Sequence, residues 1–120
     1  MLHKFLILAR AVSLCSSYKI RIGAVIVKHG KPISVGYNTK QSSPRCFGKQ
    51  ATVHAEINAL SVAKKTSLHG STIYVYREHR DGTSALARPC AHCWLMLKAR
   101  GVRWAIYSTD KAPGWIKERI

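Results

Sequence analysis

Val53-His54-Ala55-Glu56-Ile57-Asn58-Ala59-Leu60, read with Pro89-Cys90-Ala91-His92-Cys93, decides how this chain is built. His54, Cys90 and Cys93 offer one imidazole and two thiolates. Those fill three of the four positions of tetrahedral zinc, and a catalytic zinc site leaves the fourth to water. Glu56, two residues after His54, is placed to move protons on that water and not to bind the metal. Cys90 and Cys93 are i and i+3, so both reach one side of a helical first turn, whose positive end favours thiolate over thiol. His54 opens a second helix and brings another positive end to the same point. The competing assignment is a closed structural zinc, which wants four protein ligands. His92 is the obvious fourth, but its place between the two cysteines points it off their shared face.

Outward from these stretches, apolar residues at helical spacing (Leu2, Phe5, Leu6, Ala9, Val12) predict an amphipathic helix from 2 to about 16, ended by Ser16 and Ser17. Ile22 to Val27 is a short apolar run suited to a strand buried on both faces. Turn chemistry at His29-Gly30-Lys31-Pro32 joins it to a return strand from Ile33 to Tyr37. Residues 39–53 read as a long polar loop, the kind that is often functional. Ala55 to Lys65 is predicted as a helix, 72–76 as a strand and Glu78 to Arg88 as a second polar loop. Pro89 suits the first turn of a third helix, which Gly101 stops. Val102 to Tyr107 is the next strand, and Pro113-Gly114 is a turn after which Trp115-Ile116 packs back as a short edge. The order α-β-β-α-β-α-β predicts an α/β fold: a mixed sheet with an N-terminal hairpin, helices on both faces and the later strands parallel. The length fits a single domain over 1–120.

The charge narrows the partners. Twenty Lys+Arg stand against five Asp+Glu, a formal +15, and every acidic residue lies at or beyond Glu56. Such a balance favours polyanions: nucleic acid, phosphorylated substrates or an anionic surface. With four cysteines, of which Cys15 and Cys46 are isolated, the chain does not read as a disulfide scaffold. A reducing, cytoplasmic setting is expected. Arg10 interrupts the opening apolar run, and no membrane span is expected.

The arrangement H-x-E…P-C-x-x-C is the signature of zinc nucleobase deaminases. The chain resembles a compact member of the cytidine/deoxycytidylate deaminase superfamily, which also holds tRNA adenosine and polynucleotide cytosine deaminases. Ile22–Val27, Gly36-Tyr37-Asn38, His54 to Leu60, Thr72–Val75 and Pro89–Cys93 carry the likeness, in order, over roughly residues 20–108. The resemblance implies a three-layer α-β-α fold, a zinc held by His54, Cys90 and Cys93, and Glu56 as the catalytic acid/base. It implies that Asn38 contacts the sugar of the target nucleoside. It also implies that the Ala55 N–H and the Arg88 carbonyl meet the polar edge of the base. Two departures stand out: Arg77 to Arg88 intervene between the third strand and the Pro-Cys motif, and the C-terminus is short.

The favoured expectation is conversion of cytosine to uracil in single-stranded DNA or RNA, from the charge and from aromatics beside basic residues. These are Phe47 near Arg45 and Lys49, with Trp94, Trp104 and Trp115, although core packing is the stronger expectation for Trp94 and Trp104. Free cytidine or deoxycytidylate is the rival substrate, and adenine in RNA is a third. A zinc-stabilised nucleic-acid-binding module without catalysis is the alternative from another class, and the retained Glu56 argues against it.

Overall fold

The computed structural model describes residues 3–41, 51–64, 66–79 and 81–120. Strand β1 (Arg21–Lys28) lies inside the sheet, and its residues Gly23 to Val27 are all buried. A two-residue turn, His29 at φ 54° and Gly30 at φ 75°, leads to β2 (Lys31–Tyr37). Positive φ at both turn residues matches the right-handed twist of a tight hairpin. Pro32 lies at a register shift on β2, an edge strand, where its missing N–H is tolerated.

β1 also pairs antiparallel with β5 (Thr72–Glu78), which pairs parallel with β7 (Trp104–Ser108). The sheet order is β2-β1-β5-β7-β8, with β8 spanning Trp115–Arg119. The short β6 (Ser84–Ala85) joins β5 at Arg77 and Glu78. Alternate residues of each strand feed two cores. Val25, Val27, Tyr74, Tyr76 and Ile106 pack with Leu6 and Ala9 of α1 (Lys4–Ser13) on one face. Ala24, Ile26, Ile73, Val75 and Ala105 pack on the other face with Ala59 and Leu60 of α2 (Ala55–Val62) and Leu97 of α3 (Ala91–Ala99). This is the expected three-layer α-β-α arrangement.

Several boundaries differ from expectation. α1 stops at Ser13, whose hydroxyl bonds back to the Arg10 carbonyl, and α2 stops at Val62. The 39–53 stretch is not wholly loop: β3 (Thr39–Gln41) pairs antiparallel with β4 (Ala51–Val53). Phe47, Arg45, Lys49 and Cys46 lie outside the described residues. Pro89 precedes α3 instead of opening it, because Cys90 takes the capping position. The chain's end forms a five-residue strand, longer than the short edge expected, and closes the sheet beyond β7. Among the described residues no helix is long and apolar enough to cross a membrane.

Candidate active site

Gly36 fixes where α2 lies. A side chain there would run into the backbone of Ala55 and Ala59, so α2 sits directly on the hairpin. Ser34 reinforces the contact by donating its hydroxyl to the Ala59 carbonyl. His54, just ahead of α2, is extended (φ −68°, ψ 150°), and Cys90, just ahead of α3, is likewise extended (φ −66°, ψ 166°). Both side chains therefore project from converging helix N-termini. The His54 Nδ1 lies 3.2 Å from the Cys93 Sγ and 3.6 Å from the Cys90 Sγ.

A tetrahedral zinc with ordinary bond lengths separates nitrogen and sulfur ligands by about 3.5 Å. The donor atoms of His54, Cys90 and Cys93 all lie within 4.8 Å of one another, so the set fits one zinc ion. His92 is outside this cluster, which is the one group of its kind among the described residues. Burial, reinforced by the nearby Glu56 carboxylate, pushes the Cys93 thiol well above its ordinary range. Zinc uptake therefore releases protons as the thiols become thiolates.

Glu56 sits in the first turn of α2, buried, and faces the same pocket as His54 and Cys90. Burial raises its carboxyl above the ordinary range, opposed by its own backbone N–H, by His54 and by the Cys93 thiol. The pocket encloses about 360 Å³. Asn38 forms part of its wall and is itself buried. Its Oδ1 accepts from the Ile22 N–H at 3.0 Å and its Nδ2 donates to the Ile20 carbonyl at 2.8 Å. A carboxamide has two donors and two acceptor positions, so one of each remains for a ligand. Ala55 is buried and does not line the pocket; its N–H belongs to the first turn of α2, where helix donors lack intrahelical partners.

Arg88 lines the pocket, yet its side chain is committed elsewhere. Its Nε donates to Glu118 on β8 at 2.8 Å, and its guanidinium lies 4.5 Å from the centre of the Trp94 ring. Trp94 packs against the core, as expected, and the Lys117 ammonium lies over Trp104. The Arg77–Arg88 segment is tied to the sheet near both ends. The buried Ser108 hydroxyl accepts from the Arg77 N–H at 3.0 Å and donates to the Ala85 carbonyl at 2.8 Å. Arg77, Leu86 and Ala87 consequently line the pocket, while Gly82 and Thr83 at the tip are exposed. Val75 completes the wall together with Tyr18 and Ile20, two residues that no sequence motif marks. The available signal was alternation: Ile20 and Ile22 are apolar between the cations Lys19 and Arg21.

Residues 2–109 match the sequence profile of the cytidine and deoxycytidylate deaminase zinc-binding region. The chain belongs to this deaminase family. It is a zinc-dependent deaminase, a hydrolase. Among solved structures it is similar to the dCMP deaminase from the cyanophage S-TIM5 in apo form. The two are 26% identical with a TM-score of 0.66, over 88% of this chain and 79% of that one. The phage enzyme is also known in complex with dCMP and dUMP. The cytidine deaminase from Burkholderia pseudomallei shares the fold at 19% identity, with a TM-score of 0.69 over 99% of this chain and 93% of that one. No curated protein matches the sequence.

Proposed function

We propose that this deaminase acts on cytosine presented as a nucleotide, replacing the ring's amino group with the oxygen of water and releasing ammonia. The observation that carries the reading is a buried carboxylate, Glu56, in one pocket with two members of a three-donor metal cluster. His54, Cys90 and Cys93 would hold the zinc ion, which when bound would supply the Lewis acidity that makes water a nucleophile at neutral pH. Glu56 takes the two protons of the attacking water in turn, delivering the first to the ring nitrogen and the second, from the hydroxyl of the adduct, to the amino group that leaves as ammonia. The spare amide positions of Asn38 meet the sugar, while the Ala55 N–H and the Arg88 carbonyl read the polar edge of the base. The 120 residues act as one domain, because both cores are built on the two faces of a single sheet. Two thiol ligands favour a reducing cytoplasm as its setting.

The likeness to an enzyme known with dCMP and dUMP favours a free nucleotide. The second reading is cytosine within single-stranded DNA or RNA, favoured by the net charge of +15. Ammonia release from cytidine, deoxycytidylate, adenosine and single-stranded oligonucleotides tests both. Release from cytosine substrates alone is expected, and release from adenosine alone overturns the assignment of the base.

A further inference from the structure

The segment from Tyr18 to Ile22 is a partition with two unlike faces. Ile20 and Ile22 line the catalytic pocket, whereas Lys19 and Arg21 line a second pocket of about 310 Å³. β5 repeats the division: Val75 and Arg77 face the catalytic pocket and Glu78 the second one, which His79 joins from just beyond the strand. Within the strands, at Arg21 and Ile22 and at Val75, Arg77 and Glu78, this is the period-two geometry of extended chain. It places the two pockets on opposite faces of the sheet, at the end where β1 begins and β5 stops. Ile22 packs with the α2–α3 core, while Gly23 faces α1 and Glu78 pairs with Arg10 of α1. Tyr18 alone lines both pockets, half-buried at their shared rim.

The second pocket is cationic. Its one carboxylate, Glu78, is engaged by Arg10 at 3.0 Å. Among the described residues Lys19 and Arg21 form no ion pair, and both are exposed. Two free cations beside His79, with an aromatic ring at the rim, suit a phosphate followed by a stacked base. With the base in the first pocket, a strand that crosses Tyr18 brings the phosphate of a neighbouring nucleotide to the second.

Resting on the cytosine-deaminase reading for the target base, we infer that Lys19, Arg21 and His79 form a second site, which holds a phosphodiester of the strand flanking the target. The substrate class that uses both pockets is single-stranded nucleic acid, passing over Tyr18. The test is a Lys19→Gln/Arg21→Gln variant, compared with a Lys31→Gln/Lys98→Gln control that removes the same charge away from both pockets. Affinity for labelled single-stranded oligonucleotides, deoxy and ribo, is measured by anisotropy across a salt series. Deamination of the same oligonucleotides and of deoxycytidylate is measured alongside.

The expected result is an affinity loss of about tenfold for at least one strand type, with a salt slope shallower by about one. The control should change by less than about twofold, as should deamination of deoxycytidylate by the Lys19/Arg21 variant. Unchanged affinity, an equal loss in the control, or an equal loss on deoxycytidylate overturns the site. Because binding is read independently of turnover, an affinity loss in a protein that deaminates nothing would sink the deaminase reading and leave the phosphate site standing.

Discussion

Cys93 is fully buried while Cys90, three residues earlier, is exposed, so the two thiols contribute differently to one cluster. Cys93 sits in the core beside α2, and metal binding there contributes to folding as well as to chemistry. Cys93→Ser is expected to lose the zinc, about one per chain in the unaltered protein, and to lower the melting temperature markedly. Metal analysis of the purified variant checks this, and full zinc content contradicts the ligand assignment. The meeting of His54 with both cysteines was legible because each lies within a short motif whose spacing carries the geometry. Gly36 was legible only as part of a matching motif. Its reason, the close approach of α2, is a contact between distant parts of the chain. Tyr18 and Ile20 were hidden for the same reason, since they become a wall only once Asn38 laces residues 20 and 22 into place.

At the level of elements, β8 shows what periodicity misses. Residues 115–119, two apolar side chains followed by three charged ones, show neither alternation nor a continuous apolar run, and the strand exists because it covers β7 and supplies Glu118 to Arg88. Tyr107 on β7 donates its hydroxyl to the same carboxylate, and burial together with that bond pushes the phenol up to about 12. The hydrogen bonds from Arg88, then from Tyr107, hold the Glu118 carboxyl below its ordinary value of 4.5. A carboxyl depressed on folding adds stability that is present above its ordinary pKa and lost as pH falls through the lowered one. Glu118 and Arg88 are both partly solvated, so the pair contributes about 1 kcal/mol or less. Glu118→Gln should therefore lower the melting temperature by about 1–3 °C near pH 7, with the difference fading below pH 4.5. Parallel thermal melts from pH 7 down to pH 3 read this, and a difference that grows with acid contradicts it. The early strands were legible because β1 is apolar on both faces, a pattern that only a covered sheet satisfies. The start of α3 was displaced from expectation because Cys90 caps the helix with its own sulfur, which accepts from the Cys93 N–H at 3.5 Å.

Across the whole molecule the charge is spread over a fold whose acidic residues are mostly committed. Of the five, Glu56 is buried in the site while Glu78 and Glu118 pair with Arg10 and Arg88. The cationic excess therefore faces outward, against a catalytic pocket that is largely apolar on its Ile20, Ile22 and Leu86 walls. Sign and size of the charge were legible from composition; its division between two faces of the sheet required the topology. The central claim is that Glu56 carries protons in cytosine deamination beside an intact zinc cluster. The direct measurement is the rate of uracil formation by the unaltered protein and by Glu56→Ala at matched zinc content, on whichever cytosine substrate turns over fastest. The account predicts equal zinc, a similar fold and a rate lower by about 10²–10⁴-fold in the variant. A Glu56→Ala protein that retains its zinc and forms uracil at the unaltered rate would contradict it.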